Sequence, residues 1–89
     1  MDIILKPEKD LEEYIKLGVN TFLLPLKDFS VEYSKYYSLD EIKKVREKYP
    51  KIELFISINK NIMNEEIDYL KDILIKLDNL NIKGIFFYD

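Results

Sequence analysis

Four short apolar runs alternate along the chain with three stretches of helical periodicity, and this alternation constrains the fold most. The runs are continuous, which is typical of strands that are buried on both faces of a parallel sheet. They are predicted to be strands at residues 3–5, 21–24, 52–58 and 84–88. Since strands that alternate with helices join through right-handed crossovers, we predict an α/β fold: a parallel βαβαβαβ sheet of four strands with three helices.

Local signals predict where the helices begin and end. Gly18 and Asn81 are predicted to stop the first and third helices in the left-handed conformation. Ser38 and Glu41 form a capping-box pattern at the start of the second helix. Asn64 is predicted to be the N-cap of the third helix.

A repeated segment predicts the architecture. The similar stretches 16–22 and 79–85 both lead from a helix end into a strand, and they lie 63 residues apart. That offset equals two units of about 31 residues, and eight such units make about 250 residues, the usual length of a (β/α)8 barrel. We therefore predict that residues 1–89 form a single domain, half of a (β/α)8 TIM-type barrel. Its open sides predict a partner, either the remainder of a barrel or a second copy in a homodimer.

Composition excludes several functional classes. The chain has no cysteine and no histidine, so it lacks a cysteine nucleophile and the commonest general base and metal ligand. A net charge of −3 does not fit a module that binds duplex nucleic acid. No stretch approaches the ~20 apolar residues of a membrane span, and the start does not resemble a signal peptide. We expect a cytoplasmic protein with no metal, no cofactor in this segment and no membrane partner.

Candidate site residues follow from the rule that barrel enzymes bind ligands at the carboxyl ends of their strands. Lys27 follows the second strand and is a candidate for binding an anionic group, or it is a surface lysine of a long loop. Phe29 and Ser30 follow in the same loop; they line a site or pack against the sheet. Asn59 ends the third strand, where it orients a ligand or stabilises a turn. Asp89 ends the fourth strand, as an acid–base group, a metal ligand or a solvated carboxylate. No residue can be assigned as catalytic.

The order of several motifs carries a family resemblance. GVNTFLL at 18–24, KDFSV at 27–31 and YSLDEIK at 37–43 resemble the opening strand, the "phe-ser" loop and the helix start of the collagenase-like peptidase family, the U-32 peptidases. A strand that ends in Asn59 and a last segment that ends in Tyr88-Asp89, in place of "ser-asp", extend the resemblance over residues 11–89. Phe29, Ser30, Asn59 and Asp89 thus map onto family positions. The chain departs from the family at Pro25, where a glycine is usual.

The resemblance implies the N-terminal TIM-barrel segment of a peptidase, with peptide as the substrate class. We expect the isolated segment to be inactive, because a barrel site draws residues from all its strands. The same superfamily also implies an alternative, a homologue that hydroxylates RNA or quinone precursors, with RNA as a possible partner. A third reading is a non-enzymatic half-barrel that dimerises. Abundant Lys, Ile, Asn and Tyr favour a bacterial source with a low-GC genome.

Overall fold

The computed structural model describes residues 4–5, 11–30 and 35–87 of the chain. The elements follow the alternating order that the apolar runs predict, with one short 3-10 helix added before the last helix. They are β1 (Ile4–Leu5), α1 (Leu11–Lys16), β2 (Thr21–Pro25), α2 (Leu39–Lys48), β3 (Glu53–Ile58), the 3-10 helix (Asn64–Glu66), α3 (Ile67–Asp78) and β4 (Gly84–Phe87).

The strands form one parallel sheet in the order of the sequence, β1-β2-β3-β4. Strands β2, β3 and β4 make up the body of the sheet, and the two-residue β1 pairs with the start of β2. Thr21 of β2 lies opposite Glu53 of β3, and Phe55 of β3 lies opposite Gly84 of β4. The predicted α/β class, with a parallel sheet and three helices, is confirmed.

The three helices share one face of this sheet. Phe22 and Leu24 of β2 and Leu54 and Ile56 of β3 are fully buried in a single apolar cluster. The helices contribute to the same cluster through Leu11 of α1, Ile42 of α2, and Leu70, Ile73 and Leu77 of α3. Because side chains alternate along a strand, the residues between them, such as Leu23, lie on the opposite face of the sheet.

Most of the predicted helix ends are confirmed. Gly18 has a φ of 91° and Asn81 a φ of 58°, so both occupy the left-handed conformation after a helix. Ser38 and Glu41 form the capping box: the Glu41 N–H donates to Ser38 Oγ, and the Ser38 N–H donates to Glu41 Oε1, both at 3.2 Å. Each of these signals acts within one helical turn, which is why the sequence reveals it.

The predicted N-cap at Asn64 is wrong. Asn64 begins the 3-10 helix, and α3 starts only at Ile67. The Glu66 carboxylate accepts the Met63 N–H at 3.1 Å with Oε1, while its Oε2 binds Lys60 Nζ at 2.9 Å. These two contacts tighten the first turn and delay the α-helix.

Two strand ends differ from the prediction by one residue. Strand β2 runs on to Pro25, because that residue pairs with Ser57 and its carbonyl accepts the Tyr37 N–H at 2.8 Å. Strand β3 begins at Glu53, not Ile52, and the Ile52 carbonyl accepts a hydrogen bond from Arg46 Nη1 at 2.8 Å. Residues 3 and 88, the outer ends of the first and last predicted strands, lie outside the described residues.

Candidate functional site

The carboxyl ends of β2 and β3 lie side by side, as the parallel register requires. Pro25, the last residue of β2, pairs with Ser57 near the end of β3. We call the residues that follow these two strands, 26–30 and 59–60, the carboxyl edge. Three of the sequence-predicted candidates after β2 and one after β3 fall on it, so the structure brings them together.

Backbone hydrogen bonds hold both ends of the loop after β2 against the sheet. The Leu26 N–H donates to the Ser57 carbonyl at 3.0 Å, and the Lys27 N–H donates to the Tyr37 carbonyl at 2.9 Å. Asp28 has a φ of 72°, a left-handed conformation that a short aspartate tolerates better than most residues. The turn at Asp28 directs the following Phe29 and Ser30 back onto the sheet.

Phe29 and Ser30 are buried and fasten this loop to the end of β3. Ser30 Oγ donates to the Ser57 carbonyl at 2.7 Å, and the Asn59 N–H donates to the Phe29 carbonyl at 3.0 Å. Phe29 is 1% exposed and Ser30 is 7% exposed. Both residues therefore form the buried part of the carboxyl edge, where they position its other residues.

The Phe29 ring also contacts one residue of the loop after β3 and one residue of helix α3. The Tyr69 ring of α3 lies 5.8 Å from it, centroid to centroid. Lys60 Nζ lies 5.5 Å from the centre of the Phe29 ring and 2.9 Å from Glu66 Oε2. The hydrogen bond from Lys60, followed by that from the Met63 N–H, lowers the pKa of Glu66. The Lys60 ammonium is thus held in place by an anion and an aromatic face together.

The accessible polar side chains of the carboxyl edge are two cations, one carboxylate and one amide. Lys27 and Asp28 are exposed, and Asn59 and Lys60 are half-buried. Such groups can bind a carboxylate or a peptide amide, but they do not form a hydrolytic centre. Within ranges 11–30 and 35–87, no group of three His, Cys, Asp or Glu side chains could hold a metal ion. The remaining candidate, Asp89, lies outside the described residues.

Sequence reasoning missed Glu66 and Tyr69, which contact Lys60 and Phe29 of this edge. Glu66 is in the first turn after an N-cap signal, where an acid is usually explained by the helix dipole. The sequence offered one signal: Lys60 and Glu66 flank a short loop before α3, and opposite charges so placed can form an ion pair. Tyr69 gave no signal, because an aromatic residue on an exposed helix position is common.

No protein-family model matches this chain, and no match was found among curated proteins or among solved structures. The resemblance to the U-32 peptidases therefore depends on the motifs and their order, and it stays a prediction. In the part of the chain that the structure describes, no helix combines the length and hydropathy needed to cross a membrane.

Proposed function

We propose that this chain is the N-terminal barrel segment of a U-32-type peptidase and that its carboxyl edge binds peptide. One observation carries the proposal. Two motifs of the resemblance, Phe29-Ser30 and the strand ending in Asn59, are far apart in sequence but meet through two hydrogen bonds at the carboxyl edge. In a barrel this is the end of the sheet where substrates bind.

The layering of the molecule supports the barrel part of this proposal. Sequential strand order with all helices on one face is the arrangement of a barrel wall, whereas a doubly wound sheet has helices on both faces. The face opposite the described helices carries the stacked rings of Phe55 and Phe86, whose centroids are 5.2 Å apart. A Cβ on Gly84 would lie 3.2 Å from the Phe55 ring, so glycine leaves room for that ring. Apolar residues of this kind fill barrel interiors.

The chemistry of the edge supports binding more than catalysis. The Lys27 ammonium is suited to a peptide carboxylate, and the Asn59 amide can donate to and accept from a peptide backbone. Neither group activates water by itself. Catalytic groups would then come from other strands of a complete barrel, which is why we expect the segment alone to bind without cleaving.

Nuclear magnetic resonance tests this proposal directly. The 15N-labelled chain would be titrated with short gelatin-derived peptides while mass spectrometry follows their length. We expect amide shifts that are confined to residues 27–30 and 59–60, with the peptides left intact. Lys27→Met should weaken the response. Lys51→Met, which removes an exposed lysine before β3 at the opposite end of the sheet, should not.

Other outcomes would favour the alternatives. Shifts at the same residues with a short RNA, and none with peptide, would favour a homologue that hydroxylates RNA. No response at the carboxyl edge with either probe would contradict the proposal and favour a non-enzymatic half-barrel.

A further inference from the structure

An open groove runs between helix α3 and strand β4, at the side of the sheet and away from the carboxyl edge. It has a volume of about 550 Å³, and its lining includes Leu74, Ile75 and Asp78 of α3 together with Ile82, Gly84 and Ile85. Ile75 is 64% exposed beside it, and Ile67 is 38% exposed at the start of α3. Strand β4 is also the last strand in the sheet order of the described residues. Exposed apolar residues beside a terminal strand are typical of an interaction surface.

The residues of α3 that face this side form a regular stripe. Positions 67, 71, 74, 75 and 78 recur at the three- and four-residue spacing that places side chains on one side of a helix. We call Ile67, Lys71, Leu74, Ile75 and Asp78, together with Ile82 after the helix, the groove stripe. Lys71 and Asp78 are both exposed. Along α3 the order is apolar at Ile67, positive at Lys71, apolar at Leu74 and Ile75, and negative at Asp78.

This order is complementary to itself when it is reversed. If two stripes lie antiparallel with Leu74 and Ile75 at the centre, Lys71 of each copy faces Asp78 of the other. A contact in which residue i meets j and j meets i is the signature of a two-fold interface. We propose that a second copy of this chain binds the groove stripe through its own groove stripe, forming a two-fold dimer.

The sheet is compatible with the same two-fold axis. The centre of the stripe lies about 5 Å from the C-terminal end of α3, given the rise per helical residue. The centre of β4 lies about 5 Å from the start of that strand, given the rise per strand residue. The end of α3 and the start of β4 line the same groove through Asp78 and Gly84. One axis can therefore serve both elements, and it brings the two β4 strands alongside each other.

The other exposed side of α3 differs in its apolar residues. There Tyr69, Asp72 and Lys76 border a groove toward α2. An antiparallel pair on this side would also place Asp72 opposite Lys76 of the other copy, but it lacks the exposed isoleucines of the groove stripe. Lys76 therefore offers a matched control, since it is an exposed lysine on the same helix but outside the groove stripe.

Sedimentation equilibrium with charge-reversed variants tests the proposal. The wild-type chain should have twice the 10.7 kDa mass of one copy. Lys71→Asp and Asp78→Lys should each weaken dimerisation about tenfold, because each creates two contacts between like charges. An equimolar mixture of the two variants should recover the affinity as a heterodimer, since both contacts then join opposite charges. Lys76→Asp should dimerise like the wild type.

Two results would overturn the proposal. One is a wild-type chain that stays monomeric at about 100 μM, which would leave the interface too weak to matter. The other is a dimer that ignores both charge reversals, or a mixture that associates no better than its components. Circular dichroism checks that the variants keep their helix content. The dimer is proposed for this chain alone, because in a complete barrel the next strand would pair with β4. Its test is separate from that of peptide binding, because the groove stripe and the carboxyl edge lie on different sides of the sheet.

Discussion

The two ends of the sheet are held together by different means. At the amino-terminal end, one guanidinium ties the turn before β3 to the turn before β4. Arg46 Nη1 donates to the Ile52 carbonyl at 2.8 Å, and Arg46 Nε donates to the Leu80 carbonyl at 2.9 Å. Further bonds reach the carbonyls of Tyr49, Pro50 and Asn81. At the carboxyl edge, the buried ring of Phe29 and the buried hydroxyl of Ser30 hold the loop after β2 against β3.

The contrast lies in the kind of group that holds each end of the sheet. At the amino-terminal end, the Arg46 guanidinium donates hydrogen bonds to backbone carbonyls. Its partial burial lowers the pKa of Arg46. The carboxyl edge is held to the sheet by the buried Phe29 and Ser30, while Lys27 in the same loop is exposed. A charged donor thus stabilises one end of the sheet, and a buried ring with a buried hydroxyl stabilises the other. Mutations at the two ends should therefore differ in size and kind.

The largest effect is expected at the carboxyl edge. Phe29→Ala removes a fully buried ring and should lower the free energy of unfolding by about 3–5 kcal/mol. Urea denaturation at a fixed protein concentration measures the loss. Leu17→Ala is the control, because Leu17 is 78% exposed and its removal should change stability by no more than about 0.5 kcal/mol. Equal losses in the two variants would show that the ring does not anchor the loop.

The next largest effect is expected at the amino-terminal end. Arg46→Ala leaves several carbonyls without their charged donor and should cost about 2–3 kcal/mol in the same assay. Arg46→Lys should recover only part of this, because a single ammonium cannot reproduce the forked geometry of the guanidinium. Lys43→Ala, at an exposed position of the same helix, serves as the reference. A full recovery by lysine would mean that charge alone, not geometry, joins the two turns.

A smaller effect is expected for the buried hydroxyl of the carboxyl edge. Ser30→Ala should cost about 1 kcal/mol, the usual value of one hydrogen bond. The loss stays small because the Ser57 carbonyl keeps its bond from the Leu26 N–H. Hydrogen exchange should show faster opening at the Asn59 amide and little change at amides near Arg46. Uniform acceleration through the chain would contradict this local role.

The smallest effect is a dependence on pH. The pKa of Glu66 is lowered in the folded chain. The ionised Glu66 therefore stabilises the fold at every pH above the ordinary pKa of a glutamate, and this stabilisation is lost as the pH falls through the lowered pKa. Glu66→Gln should therefore be less stable than the wild type at about pH 7, and the gap in unfolding free energy should close once the pH falls below the lowered pKa of Glu66. Lys60→Met should show the same closing gap, since it removes the partner of Glu66. Unfolding curves at several pH values check this, and a gap that stays constant would contradict it.

Much of the architecture could be predicted from the residues alone. The continuous apolar runs indicated a buried parallel sheet, and the structure has one. Gly18, Asn81 and the Ser38 capping box marked helix ends correctly, because these signals depend on contacts within about one turn. The location of the candidate site at the strand ends came from the same pattern, since it requires only the order of the elements. The half-barrel and the peptidase resemblance stay predictions.

The tertiary structure decided which candidate residues face outward and which are buried. Phe29 and Ser30 became internal supports because the turn at Asp28 folds them onto β3, a contact between residues 27 apart. Arg46 joined turns as far as 35 residues away, and nothing in its helical position indicates that reach. Periodicity reports which side of an element is apolar, so the sequence determined the elements and their buried faces. Which distant groups meet depends on how those elements pack, and that follows only from the folded chain.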